Sequence, residues 1–473
     1  MTGTTTPITA VPAFDDHNPP SRELIDDCVH CGFCLPACPT YQLWGNEADS
    51  PRGRILLMDV ALRGEVPMSR PLARHWDLCL GCMACVTACP SGVQYNRLIE
   101  QTRQQVERSV RRRWRDRLRR RAVFALFPHP RRMRAVAWLL LLFRASGLRR
   151  LLRRPGRAGL VALSPAVSAA AVTTRLPELV PARGAEPLRR VVLLTGCVQQ
   201  GLFADVNAAT ARVLGAYGCE VSIPRGQGCC GALDVHCGRE KQARARATAL
   251  RDVLDAALDD AAPPPLIAVN SAGCGSTMKE YGALFGDDPR AAELASRVRD
   301  VSEIIAELAG PAARGGGPPL HPLPLRVAYH DACHLAHAQG IRVQPREMLA
   351  RIPGVELVPL AEADMCCGSA GVYNLLEPRP AAELGKRKAA HVAAAAPDAL
   401  VASNPGCLVQ ISAHLGGGDG VPTFHPVELL DASLRGDDAA GLLSRRRRLQ
   451  GLPAAASAPA PPAPPTPPGV HPR

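Results

Sequence analysis

Eight cysteines fall into two copies of one spacing, and that spacing limits what can fold around it. Cys28-x2-Cys31-x2-Cys34-x3-Cys38-Pro39 recurs without a gap as Cys79-x2-Cys82-x2-Cys85-x3-Cys89-Pro90. Three thiols two residues apart let one short loop wrap three irons of a cube. This is a ligation pattern for two [4Fe–4S] clusters, in which the fourth Cys of each run serves the other cluster. The expected sets are Cys28, Cys31, Cys34 and Cys89 for the first cluster, and Cys38, Cys79, Cys82 and Cys85 for the second. Each fourth Cys is expected to start a helix, with a proline behind it that needs no N–H partner. Zinc prefers four tetrahedral ligands, commonly two separated CxxC pairs, and matches this pattern poorly.

The chain's 473 residues allow two or three domains. Its 18 cysteines are grouped in metal-type runs, which argues for a reducing compartment over disulfides. The opening MTGTTTPITAVPAFDDHNPP has neither a basic n-region nor an apolar core, so a cytoplasmic location is expected. The net charge of +13 is a local property. Residues 108–157 alone hold 18 Arg against one acid, Asp116. No nucleic-acid-binding module accompanies this charge, and nucleic acid is not an expected partner.

Residues 1–20 read as a flexible lead and 21–105 as a two-cluster, α-helical ferredoxin-like domain. Within it Arg52 and Arg54 open a helix-like stretch. They are either a solvated helix start or charge compensation near a cluster. Residues 106–188 read as a basic and apolar helical connector followed by an Ala/Pro-rich linker. The connector's apolar block, residues 135–143, is too short to span a bilayer. Arg residues flank it, so residues 131–154 either lie at a membrane interface or pack on protein. The chain's end, 440–473, reads as a disordered, low-complexity tail.

Residues 189–310 and 322–435 read as two copies of one α/β domain. Cys197, the pair Cys229-Cys230 with Gly231, and Cys274 recur as Cys333, Cys366-Cys367 with Gly368, and Cys407. The offsets are 136, 137 and 133 residues, the mark of a tandem repeat. In each copy a Cys follows a strand at its C-terminal end, where open α/β sheets collect ligands. Grouped thiols in duplicate imply an additional redox or cluster site rather than inert core cysteines. Cys219 and Cys237 lack counterparts and read as structural. His330, His334 and His337 surround Cys333 in this copy alone; a His there could ligate a metal or move a proton, but His337 and also His330 read as surface or capping residues.

Beyond the cysteines, the stretches CVHCGFC, SPRGRI, CPSGVQY, GCVQQGL, NAATARVL, GCCGALD, CCGSAGVYN and SNPGC resemble the iron–sulfur subunits of glycolate oxidase (a glycolate dehydrogenase). The resemblance covers roughly residues 21–435. It implies an electron-transfer subunit that takes electrons from a partner FAD subunit oxidising glycolate to glyoxylate. The acceptor implied is a membrane quinone, and the chain would sit on the inner face of the cell membrane. No residue here is expected to be catalytic: there is no GxGxxG flavin fingerprint after a strand. The cysteine architecture alone is also that of lactate and anaerobic glycerol-3-phosphate dehydrogenase subunits and of heterodisulfide reductases, which act on thiols. One departure stands out. Cys-Cys-Gly domains of the heterodisulfide reductase type close with CxxC, but here Thr277 and Gln410 stand where that last Cys belongs. The resemblance therefore assigns only the eight ferredoxin-type cysteines as ligands.

Overall fold

The computed structural model describes residues 13–146, 167–258, 263–286, 288–309, 316–415 and 420–453. The sequence expectations for 1–12, 147–166 and 454–473 lie outside these. Residues 13–146 contain only helices and turns. Side-chain caps and early prolines explain where the helices begin. Ser50 Oγ accepts from the Gly53 N–H ahead of Pro51–Leu62, and Ser69 Oγ from the Leu72 N–H ahead of Arg70–Asp77. A Cβ on Gly53 would stand 1.9 Å from the Glu47 carbonyl oxygen, so only glycine permits that turn. Met58, Trp76, Leu98 and Ile99 form the buried centre. The lead is shorter than its sequence suggests: Phe14 is buried against Trp76, and Asp15 is held by Gln105 and Arg108.

The second half contains two sheets of the same design. Strands β1 (Leu179–Val180), β2 (Arg189–Leu193), β3 (Cys219–Ser222), β4 (Leu266–Val269) and β5 (Val298–Asp300) lie in the order β1-β3-β2-β4-β5. Strands β6 (Leu325–His330), β7 (Val355–Val358), β8 (Ala399–Ala402) and β9 (Thr423–Phe424) lie in the order β7-β6-β8-β9. All pairings are parallel except β1 with β3. In each sheet the chain leaves the first central strand to one side and returns on the other. This makes a topological switch between β2 and β4 and between β6 and β8, where a crevice opens at the strands' carboxyl ends. One buried core of Val191, Leu193, Val213, Val327 and Val401 runs across both units.

Two connecting segments differ from their sequence reading. The linker supplies β1, which adds an antiparallel edge to the first sheet. The tail begins with a packed helix, Ala439–Gln450, capped by Asp438. Arg446 of that helix pairs with Glu428 and lies over the Phe424 ring, and Gln450 bonds the Thr423 backbone on both sides. Among the four consecutive Arg at 445–448, ion pairing and cation–π contact give Arg446 a place. The connector forms helices Trp114–Leu126 and Pro130–Ala145. No helix among the described residues is long and apolar enough to cross a membrane.

Candidate redox site

The two N-terminal cysteine loops wind alike although their side chains differ. Left-handed backbone occurs at His30 and Gly32 in one, and at Gly81 and Met83 in the other. These are matching positions of the two runs. For His30 and Met83 this conformation costs about 1 kcal/mol each, so the shape is imposed by the thiols the loops must present. All eight cysteines are free thiols. Cys28 lies close enough to Cys89 and Cys31 to sense their charge, and Cys85 to sense Cys82, Cys79 and Cys38. Cys89 of the second run thus lies near Cys28 of the first, and Cys38 of the first near Cys85 of the second, with Cys34 also within reach of Cys38 and Cys85. Cys38 caps the helix Pro39–Trp44, as expected. Cys89 starts no helix, because Gly92 turns left-handed directly after Pro90 and Ser91.

The two loops differ in surroundings. Cys31 is exposed, with Val29 and Phe33 each 67% exposed beside it. Cys38, Cys79, Cys82 and Cys85 are buried. Burial pushes the Cys82 and Cys85 thiols well up. Burial acts on Cys79 too, but Arg54 and Arg103 outweigh it and hold that thiol below its ordinary value. Arg54 is almost fully buried; its Nη1 lies 4.0 Å from Cys38 Sγ, and its Nε donates to the His75 carbonyl. Arg103 donates to the carbonyls of Cys79 and His236. Arg52, in contrast, faces outward, donating to the His30 carbonyl and to Glu47. Tyr95 Oη donates to Cys79 Sγ at 3.7 Å.

Both sets of Cys-Cys-Gly cysteines converge on one cavity of about 210 Å³ between the two sheets. Cys197 and Cys333 open the helices that follow β2 and β6, and Cys274 and Cys407 sit in the helices after β4 and β8. These are the two flanks of each switch point. Gly231 and Gly368, both left-handed, press on the Ala243 and Ala381 carbonyls, where a Cβ would come within 2.9 and 2.7 Å. Each set stabilises one thiolate through its neighbours' S–H groups. Cys229 is lowered by Cys197 and Cys230, and Cys367 by Cys366 and Cys407. The connector roofs the cavity with Leu126, Phe127, Met133, Val136 and Leu140.

The second unit also meets the N-terminal domain. Leu80, Cys82, Ala84, Cys333, Cys366 and Tyr373 share one buried cluster. His334 is not a surface residue: Nε2–H donates to the Gly81 carbonyl at 3.0 Å, and Nδ1 accepts from Ser276 at 2.7 Å. Burial lowers it to about 3. His337 bridges Thr87 and the Asp364 carbonyl, so it is an interface residue rather than a free one. His330 corrects its surface reading outright: it is fully buried, and one ring nitrogen, Cys367 Sγ and Cys407 Sγ all lie within 4.8 Å of one another. Cys219 lies in the core of β3, where burial raises it to about 12. Cys237 packs beside Val123, Phe124 and Leu233. Spacing could not reveal Arg103, Tyr95 or Tyr373, since each reaches the site from a distant element.

Residues 24–93 match the family described as "4Fe-4S dicluster domain", and 191–279 and 327–412 the family described as "Cysteine-rich domain". Residues 115–170 match "Glycolate oxidase iron-sulfur subunit, linker region". The probable glycolate oxidase iron-sulfur subunit of Bacillus subtilis is 35% identical over 406 residues, 81% of this chain and 88% of that one. The glycolate oxidase iron-sulfur subunit of Escherichia coli is 35% identical over 414 residues, 86% and 93%. The lactate utilization protein A of Oceanobacillus iheyensis is 27% identical over 252 residues, only 52% of this chain. A two-cluster domain, a connector of this particular kind and paired cysteine-rich domains occur here in one chain. It belongs to the glycolate oxidase iron-sulfur subunits, the electron-transfer part of that oxidoreductase.

Proposed function

We propose that this chain takes electrons from a partner FAD subunit, which oxidises glycolate to glyoxylate, and delivers them towards a membrane quinone. When bound, two [4Fe–4S] clusters supply one-electron steps between a two-electron flavin and its acceptor. Cys28, Cys31, Cys34 and Cys89 hold the first, and Cys38, Cys79, Cys82 and Cys85 the second. The observation that carries the reading is the unbroken line of thiols. It starts at exposed Cys31, continues through the buried second loop, and reaches Cys333 beside Cys82. Val29 and Phe33 offer the partner subunit an apolar landing next to the exposed end. Tyr95, Arg54 and Arg103 exclude water from the second loop; Tyr95 donates a hydrogen bond to Cys79 and the two Arg supply positive charge to the thiolates.

The same reading places the chain peripherally on the inner face of the membrane. Trp114 and Leu118 on one connector helix, and Trp138, Leu139 and Leu142 on the next, are exposed. Arg113, Arg117, Arg121, Arg131 and Arg132 are exposed among them. Exposed Trp and Leu with surrounding Arg suit an anionic interface.

The test is anaerobic. The chain is purified with its native flavoprotein partner, glycolate is added, and visible bleaching and electron paramagnetic resonance follow cluster reduction. L-Lactate and glycerol-3-phosphate run in parallel. Fast bleaching with glycolate alone supports the assignment. Bleaching only with another substrate reassigns the complex, and none with intact clusters removes the conduit role.

A further inference from the structure

The two cysteine-rich units are not equivalent, and one residue separates them. Three positions before the first Cys of each unit stand Leu194 and His330. Leu194 packs in an apolar cluster with Val192, Cys230 and Tyr281. His330 ends β6 with no exposed surface, and neither ring nitrogen has a hydrogen-bond partner. Buried imidazoles ordinarily satisfy both nitrogens, one as donor and one as acceptor. This one faces sulfur instead: one nitrogen and the Cys367 and Cys407 thiols lie within 4.8 Å of one another. Cys366 lies within side-chain reach of both Cys333 and Cys367, and these four thiols line the cavity.

We propose that His330 is a metal ligand, which with Cys333, Cys366, Cys367 and Cys407 holds iron in the second unit, while the first unit has Leu194 at the matching position. Three donors this close suit a shared metal ion. Imidazole with thiolate selects zinc, iron or copper. Iron is the choice that fits the place, because Cys333 lies against Cys82 of the second cluster loop, and a redox-inert ion there would end the line of carriers. The histidine also answers the missing closing Cys. Gln410, which stands at that position, is bonded to Asn374 and the Ala381 carbonyl and turned to structural use. A fifth donor enters from β6 instead. The inference deepens the electron-transfer reading but rests on donors that the N-terminal domain does not share.

The test uses the full chain with its partner, isolated anaerobically. Nitrogen hyperfine coupling is recorded by pulsed electron paramagnetic resonance in the oxidised and reduced states, with iron and zinc counted per chain. The wild type is expected to show directly bound imidazole nitrogen. His330→Leu, which copies the first unit, is expected to lose that coupling together with part of the iron and none of the zinc. His330→Cys is expected to keep the iron and lose the nitrogen coupling, and it serves if the leucine variant fails to fold. Cys34→Ser removes an N-terminal cluster signal and leaves the nitrogen coupling, which keeps this test separate from that of the conduit. No imidazole coupling in the wild type, coupling that persists in His330→Cys, or loss of zinc in place of iron overturns the assignment.

Discussion

Arg54 and Arg52 begin the same helix, yet they do different work. Arg54 lies inside, with Thr40 and the His75 carbonyl as acceptors, Cys38 Sγ at 4.0 Å and Asp49 at 3.7 Å. A buried cation next to cluster thiolates favours the more negative, reduced state and raises the potential. Arg54→Gln is expected to lower the midpoint potential of one of the two clusters by tens of millivolts and leave the other in place. Redox titration followed by paramagnetic resonance checks this; Arg63→Gln, at the far end of the same helix and paired with Asp59 and Glu65, is the control that moves neither. Arg54→Gln also takes the cation from beside Asp49, which keeps His75 and Asn46 as partners, and is expected to cost about 1–3 kcal/mol of stability. Cysteine spacing was legible in the sequence because a cluster loop is local and its geometry repeats. The choice between Arg52 and Arg54 was not, since it depends on which helix face meets the core. His330 was misread for a similar reason: whether the last residue of a strand is covered is decided by loops that arrive from elsewhere, here the one bearing Cys367 and the helix bearing Cys407.

The helix Pro130–Ala145 shows what periodicity alone leaves open. Its apolar block looked almost unsided, and two environments share it. Met133 and Ala137 are buried and Leu140 and Leu141 pack with them, against Leu202 and Val172. Trp138, Leu139 and Leu142 are 47%, 65% and 62% exposed. Both sequence readings, membrane interface and protein packing, therefore have a face. Leu139→Glu with Leu142→Glu is expected to weaken binding to anionic vesicles by about tenfold or more, as each leucine contributes roughly 1.5–3 kcal/mol on burial. Co-sedimentation measures it, and unchanged binding removes the interfacial role. Changes on the inner face act through stability. A Cβ on Gly201 would stand 2.5 Å from Met133 Cβ, so Gly201→Leu is expected to cost about 1–3 kcal/mol by overpacking, read as a lower melting temperature. The duplication, in contrast, was plain from cysteine offsets, and the β3-β2-β4 order recurs as β7-β6-β8. Strand β1 and the helix Ala439–Gln450 were not, because a two-residue edge strand and an Arg-rich helix become stable only through their partners.

At the scale of the molecule, the line of thiols exists only while the N-terminal domain stays docked on the cysteine-rich units. The seam is polar. Tyr373 donates to the Leu78 carbonyl, His334 to the Gly81 carbonyl, Asn96 to Glu280, and Arg74 pairs with Glu377. It also holds two carboxyls, Glu100 and Glu280, each raised to about 7 by burial, Glu280 further by the charge of Glu100. His236 lies 3.5 Å from Glu100, with its ring centroid 4.7 Å from that of His334; burial lowers it to about 4. The signs oppose. Carboxyls raised from 4.5 make the folded state bind extra protons, so stability falls as pH climbs from about 4.5 to about 7 and stays lower above. A histidine lowered from 6.5 makes the folded state bind fewer, so stability rises from about pH 4 to 6.5. His334, at the same seam, is lowered likewise, so two histidines oppose two carboxyls and between about pH 4.5 and 6.5 the effects largely offset each other; above 7 the carboxylate cost stands alone. Glu280→Gln keeps an oxygen for Asn96 and removes the charge. It is expected to stabilise the protein on the order of 1 kcal/mol at pH 8 and to change little at pH 4, where the carboxyl is neutral in the folded and largely neutral in the unfolded chain. Melting temperatures of both proteins at the two pH values decide the matter. An equal gap at both would mean that the substitution acts through packing, and that the seam's carboxyls carry no charge cost in the folded state.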